Sequence, residues 1–235
     1  MTTKTSPLLE TKEIVKVFCR KNSPPIKALD GVSVEIHAGE FLALVGRSGS
    51  GKSTFLNLVG ALDRPTSGQV IFEGKSLKDF SNRDLTFFRR RKIGFVFQTF
   101  NLLPSLTIKE NVEAALIHSN FSRKEISNKV AVLLDSFDLS DKCNRLPLEM
   151  SVGQQQKAAI ARAIVKEPVL LLADEPTGEM DPISGKEIVE KLIELNKKSK
   201  VTLILATHGT FPHNQADRTL FIKDGRIVSQ NEAGY

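Results

Sequence analysis

The chain contains no tryptophan and a single tyrosine, and 14 phenylalanines supply almost all of its aromatic surface. No stacking platform for single-stranded nucleic acid is evident in such a composition. Cysteine is nearly as scarce: Cys19 and Cys143 are two thiols with no spacing pattern. They exclude a disulfide framework and a thiolate metal site, and they fit a reducing compartment. Long apolar runs are missing too, since none approaches the roughly 18 residues that a bilayer-crossing helix needs. The first twenty residues carry Glu10 and Glu13 and no unbroken apolar stretch, so no secretory signal is expected. There are no internal repeats and no low-complexity segment.

What is present describes an ordinary globular domain. Of 235 residues, 40% are hydrophobic and 26% charged, enough for a sizeable core. The formal net charge of +6 permits contact with anionic partners, but a mildly basic surface explains it as well.

Three apolar runs end at small or polar residues: "FLALVG" (41–46), "VLLLADE" (169–175) and "VTLILATH" (201–208). They read as strands buried on both faces, and "IGFVFQ" (93–98) reads as a fourth strand. Residues 8–18 and 32–37 are expected as strands joined by a loop holding Asn22, Pro24 and Pro25. Helices are expected from Lys52 to about Ala61, over 82–92, and over 181–198 with Asp181 as cap and Pro182 in the first turn. Ser122 and Glu125 form a capping-box pattern at the start of 122–137. "TLFIKDGRIVSQ" (219–230) is expected as a hairpin on Asp224-Gly225. Strands alternating with helices predict an α/β fold with a mainly parallel sheet covered on both faces. The mostly helical stretch from 101 to 164 interrupts that alternation and predicts an inserted subdomain.

"GRSGSGKS" (46–53) carries G-x-x-x-x-G-K followed by serine, placed after a strand and before a helix. The chemistry needs that place. Glycines let backbone amides wrap round phosphates, and the helix N-terminus adds positive partial charge. Lys52 would reach the β- and γ-phosphates, and Ser53 would ligate Mg²⁺. Asp174 at the end of "VLLLADE" places a carboxylate near that metal, and Glu175 beside it could deprotonate an attacking water. Gln98 ends "IGFVFQ", and its amide could meet both metal and water. His208 ends "VTLILATH", where an imidazole could reach the γ-phosphate. His37, His118 and His213 read as ordinary polar groups.

The order of these pieces resembles the nucleotide-binding subunit of an ABC transporter over residues 8 to 230. "RRRKIGFVFQTFNLLPSLTIKENV" (89–112) and "LLLADEPTGEMD" (170–181) are similar to the ATPases of lipoprotein-release and macrolide-export systems. The resemblance implies a P-loop NTPase (RecA-like) core, an antiparallel β subdomain and a helical subdomain over 99–164. It implies ATP and Mg²⁺ as cofactors. Gly46, Arg47, Ser48, Gly49, Ser50, Gly51, Lys52, Ser53 and Thr54 would bind the triphosphate, and Phe18 would stack on adenine. Ser53, Gln98 and Asp174 would serve the metal. Glu175 would be the catalytic base, His208 the γ-phosphate sensor, and Asp181 part of a loop crossing between subunits.

"MSVGQ" (150–154) stands where that family has Leu-Ser-Gly-Gly-Gln. By resemblance, two copies dock head to tail, and Ser151, Val152, Gly153 and Gln154 approach the ATP held by the other copy. A permease would dock on about 99–120, with Phe100, Leu102 and Leu103 as candidate groove residues, and so hold the chain on the cytoplasmic face of the plasma membrane. A regulatory, division-linked member that signals without transport carries the same pattern. Nucleic acid is not an expected partner: Lys52 and Ser151 are only 99 positions apart, which leaves no room for the coiled coil typical of DNA-acting relatives. Three residues depart from the family pattern: Val152 for glycine, Lys157 for arginine and Gly209 for aspartate. Val152 would be strained if its backbone had to take positive φ; as an ordinary first-turn helix residue it would cost only a few tenths of a kcal/mol. The second is the expectation. If the side chain obstructs closure instead, a glycine there would raise hydrolysis without changing ATP binding.

Overall fold

The computed structural model describes residues 6–19, 21, 23–208 and 215–234. Asn22, Gly209 and His213 lie outside them.

Two sheets form. A four-stranded antiparallel sheet contains β1 (Leu9–Phe18), β2 (Ile26–Ile36), β4 (Ser67–Phe72) and β5 (Lys75–Ser76), in the order β2-β1-β4-β5. A six-stranded sheet contains β3 (Phe41–Val45), β6 (Ile93–Val96), β7 (Leu170–Asp174), β8 (Thr202–Thr207), β9 (Arg218–Lys223) and β10 (Arg226–Val228). Its order is β10-β9-β3-β8-β7-β6, and only the β9–β10 hairpin is antiparallel. The α-helices are α1 (Lys52–Val59), α2 (Asn82–Lys92), α3 (Ile108–Glu113), α4 (Arg123–Asp135), α5 (Val152–Ile164), α6 (Pro182–Ser199) and α7 (Gln230–Ala233).

Alternation along the buried strands divides the core in two. Phe41, Ala43, Val45, Leu171, Leu203 and Leu205 face α5 and α6. Leu42, Leu44, Leu172 and Ile204 face α1 and the antiparallel sheet. Every strand of the parallel core is therefore apolar on both sides, which is why each reads as a continuous run. Each fully buried Leu or Phe contributes roughly 1.5–3 kcal/mol.

Several ends differ from the sequence reading. β6 stops at Val96 and pairs only with β7, so Phe97 and Gln98 lie in the following loop. Glu175 and His208 likewise sit one residue past their strands. β2 begins at Ile26, six residues before the expected start, because pairing with β1 extends to Phe18↔Ile26. The stretch 101–164 holds α3, α4 and α5 with short 3₁₀ turns between them. The expected caps are present: Ser122 and Ser151 form capping boxes with Glu125 and Gln154, and Asp181 caps α6.

Candidate functional site

The site residues collect at the carboxyl ends of the parallel strands, where open α/β sheets present loops to a ligand. In spatial order Lys52 follows β3, His208 follows β8, Asp174 ends β7 with Glu175 just beyond it, and Gln98 follows β6.

The loop 46–51 is built round close backbone approaches. A Cβ on Gly46 would lie 2.4 Å from the Ile222 carbonyl oxygen and 2.5 Å from Ser50 Oγ. Gly51, at φ 110°, would bring a Cβ within 2.5 Å of the Ala28 oxygen. Only glycine fits either position. Gly51 is the N-cap of α1 and offers no side-chain cap, so the first amides of α1 remain available to an anion.

Lys52 is almost fully buried, with 3% of its side chain exposed. Its Nζ donates to the Gly46 oxygen (2.8 Å) and the Arg47 oxygen (3.1 Å) and pairs with Glu175 Oε1 (3.0 Å). All three N–H groups of the ammonium are thus used. The other carboxylate oxygen, Glu175 Oε2, lies 3.1 Å from His208 Nδ1. Glu175 itself takes φ 45°, a left-handed conformation that costs a non-glycine residue of order 1 kcal/mol or more. Its amide donates to the Ala206 oxygen at 3.0 Å, and its oxygen accepts from Gly178 N at 3.0 Å. The strained turn aims the carboxylate at Lys52 and His208 together.

Two buried acceptors beside this cluster, Ser50 Oγ and Asp174 Oδ1, have no hydrogen-bond partner. Burial pushes the Asp174 carboxyl above its ordinary value; a hydrogen bond from Ser53 works against that shift, nearby Glu175 adds to it, and Lys52 opposes it. A buried carboxylate with one oxygen unpartnered and the other bonded by a serine hydroxyl suits a hard divalent cation completed by phosphate oxygens and water. Among the described residues no group of three or more His, Cys, Asp or Glu could hold a metal alone.

The Asp174 shift has a consequence for stability. Between the ordinary carboxyl value and the raised one, the folded chain holds a proton that the unfolded chain has released. Its stabilising contribution is complete below the ordinary value and is lost as pH rises through the raised one. At pH 7 the ionised group therefore costs stability. Asp174→Asn is expected to raise the melting temperature of the nucleotide-free chain at pH 7 and to abolish the further rise given by Mg-ATP. Thermal scans with and without nucleotide measure both; a lower nucleotide-free melting temperature contradicts the burial argument.

The remaining residues lie farther out. Gln98 Nε2 donates to Glu179 Oε1 (3.1 Å) and packs on Gly178, so its amide is engaged with the loop after β7 and not with Asp174. Phe18 ends β1 and is 41% exposed, with Lys16 Nζ 5.1 Å from its ring centroid. A cleft of about 520 Å³ opens between Thr207–His208 and the loop of Pro176, Met180 and Asp181. Asp181 accepts from the amides of Ile183 and Ser184, both at 3.0 Å. A hydrogen bond from the Ser184 hydroxyl foremost, and then these amides, hold its carboxyl below the ordinary value.

On α5, Ser151 Oγ accepts from Gln154 N (3.3 Å) and Gln154 Oε1 accepts from Ser151 N (3.1 Å). Val152 is the first helical residue, is 41% exposed and is absent from the positive-φ residues. The strain considered for it is therefore not present. Val152→Gly is expected to leave the ATP affinity of the isolated chain within about twofold, since only propensity changes; a nucleotide titration showing a larger shift would mean that Val152 shapes its own subunit's pocket. Lys157 lies 3.6 Å from Glu187 Oε2 and 3.9 Å from Asp138 Oδ2, two long pairs in place of one bidentate contact.

Sequence reading missed Gln156. It is fully buried, and its Nε2 donates to the Pro176 oxygen at 2.8 Å, joining α5 to the loop that carries Glu175. The signal was periodicity: 156 shares a helix face with Ala159, Ile160 and Ala163, all buried.

A family model described as ABC transporter matches residues 29–178. The chain belongs to this family. Its fold is that of the family's P-loop ATPase cassette, and it is an ATP-binding ATPase of the ABC type. An uncharacterized ABC transporter ATP-binding protein of Thermotoga maritima is 45% identical over 209 residues, 89% of each chain. The macrolide export ATP-binding/permease protein MacB of Nitrosomonas europaea is 43% identical over 225 residues. That match covers 96% of this chain and 34% of MacB, so the chain spans about a third of the relative's length. Among solved structures, the dimeric post-hydrolysis state of the ATP-binding cassette MJ0796 bound to ADP and Pi superposes with a TM-score of 0.87 at 38% identity, covering 94% of this chain and 97% of that one. Among the described residues no helix is long and apolar enough to cross a membrane.

Proposed function

We propose that this ABC ATPase powers export through an integral-membrane permease, working as a homodimer that closes on two ATP molecules. Residues 8–230 then form one ATP-binding domain, with 99–164 as its helical subdomain. The observation that carries the reading is the Lys52–Glu175–His208 cluster at the mouth of the phosphate loop.

In this mechanism the amides of 46–54 and the start of α1 receive the triphosphate. Lys52 exchanges its bond to Glu175 for phosphate oxygens. Glu175, released, takes the proton of the attacking water, and His208, 3.1 Å from it now, turns to the γ-phosphate. Phe18 stacks on adenine. Ser53 and Asp174, with Gln98 if it gives up its bond to Glu179, would hold Mg²⁺, which when bound would neutralise charge on the phosphates. Ser151 and Gly153 at the start of α5 complete the site of the second copy with helix-terminal amides, and Asp181 lies in the loop crossing between copies. MacB and the MJ0796 dimer, named for export and for dimerisation, support this reading. The permease would hold the chain at the cytoplasmic face of the membrane through about residues 99–120. There Leu103 is 49% exposed, whereas Leu102 packs partly on the core.

Affinity purification of the tagged chain from detergent-extracted membranes tests the proposal. It is expected to recover an integral-membrane protein and Mg-dependent ATPase activity above that of the isolated chain. Recovery of the chain alone contradicts it.

A further inference from the structure

Between Glu175 and Asp181 the loop after β7 carries Glu179, an acidic residue that the mechanism above does not use. Most of this loop is fixed in place. Glu175 N donates to the Ala206 oxygen, Gly178 N to the Glu175 oxygen and Met180 N to the Thr177 oxygen. Gln156, fully buried on α5, donates to the Pro176 oxygen at 2.8 Å. Asp181 is held by capping α6. Glu179 adds a bond of a different kind. Its Oε1 accepts from Gln98 Nε2 at 3.1 Å and so ties the loop to the residue after β6. Gln98 also packs on Gly178, where an added Cβ would stand 2.9 Å from Nε2 and 3.3 Å from Cδ. Among the described residues no cation pairs with Glu179. Glu179 is exposed and Gln98 partly so. The bond is therefore one that water or a cation can exchange, unlike the buried bond of Gln156. Asp174 meanwhile is bonded by Ser53, while Gln98 is turned to the loop.

We propose that Glu179 is a positioning residue that ties metal loading to release of the loop crossing between copies. In the nucleotide-free chain it keeps the Gln98 amide on the loop. When Gln98 turns to the cation, this bond parts and the segment 178–181 is freed to meet the other copy. The proposal rests on the reading of Gln98 as a metal ligand and of Asp181 as part of the crossing loop, and adds the residue that couples them. A ligand held in a non-binding arrangement lowers the apparent affinity by the fraction of time it is free, so removing the hold raises that affinity. Charge alone acts in the opposite sense, because a nearby carboxylate attracts a cation. The sign of the effect therefore separates the two.

The test titrates Mn²⁺ into the full chain with a non-hydrolysable ATP analogue and reads the free ion by electron paramagnetic resonance. Glu179→Ala is expected to tighten Mn²⁺ binding by about three- to tenfold, the worth of one exposed hydrogen bond. Glu179→Gln, which can still accept from Gln98, is expected to stay nearer the parent. Nucleotide affinity measured in EDTA is expected to stay within about twofold, since an exposed carboxylate is well screened. In a Gln98→Ala chain, adding Glu179→Ala is expected to give no further gain. In the Glu175→Gln chain, adding Glu179→Ala is expected to lower the metal concentration at which light scattering reads a dimer. Weaker Mn²⁺ binding by Glu179→Ala means that Glu179 orients the amide for the metal or draws the cation by charge, and overturns the proposal. An equal gain in EDTA, which would mean that Glu179 only repels the nucleotide, overturns it too. So does a gain that persists without Gln98. A Gln98→Ala chain that binds Mn²⁺ as tightly as the parent removes Gln98 from the metal site itself, a result distinct from these.

Discussion

Glu175→Gln is expected to lower steady-state ATP turnover by at least about 100-fold, the usual worth of a positioned general base, without weakening ATP binding. Glu175 is bonded to Lys52 at 3.0 Å and to His208 at 3.1 Å. Glutamine keeps the shape, with one oxygen that can accept from Lys52 and an NH2 group that can only donate, but it takes no proton from water and carries no charge. The Lys52 ammonium then meets an incoming triphosphate without a competing carboxylate, and the γ-phosphate meets no like charge. Phosphate release at saturating Mg-ATP, together with a fluorescent-nucleotide titration, measures the two effects separately. Turnover within about fivefold of the parent would remove Glu175 from the base role.

Gly153→Asp is expected to separate folding from catalysis. A Cβ at Gly153 meets only Ser184, at 3.7 and 3.8 Å, which is ordinary contact. An acidic residue in the first turn of α5 is also well placed against the helix dipole. The isolated chain should therefore fold, melt within about 2 °C of the parent and bind ATP as before. Across the proposed dimer the same carboxylate would face a γ-phosphate, and two like charges about 4 Å apart repel by about 4 kcal/mol at an effective dielectric of 20. Turnover is expected to fall by at least about 100-fold. Unchanged turnover would mean that the start of α5 does not meet the nucleotide.

Much of this was legible in the linear chain because it depends on local rules. β3, β7 and β8 announce themselves as apolar runs, since strands covered on both faces need no polar alternation. Ser122, Ser151 and Asp181 could be read as caps because a helix start must satisfy its own amides within three residues. Lys52 followed from a motif whose glycines have steric reasons now visible at Gly46 and Gly51.

What was hidden depends on partners far along the chain. The pair between Lys52 and Glu175 joins residues 123 positions apart, and no local pattern announces that the base rests on the phosphate lysine. Gln98 carried a motif, but its bond to Glu179 depends on how the loop after β7 folds back. Gln156 looked like one of three equivalent glutamines until burial singled it out. The early end of β6 reflects its place at the sheet edge, with a neighbour on one side only.

The account turns on whether two copies share each ATP between the Lys52 loop of one and the Ser151 helix of the other. Light scattering on the Glu175→Gln chain with Mg-ATP measures this directly. The prediction is twice the monomer mass with nucleotide, monomer mass without it, and monomer mass again when Gly153→Asp is added. A chain that stays monomeric when saturated with Mg-ATP, alone and with its membrane subunit, contradicts it.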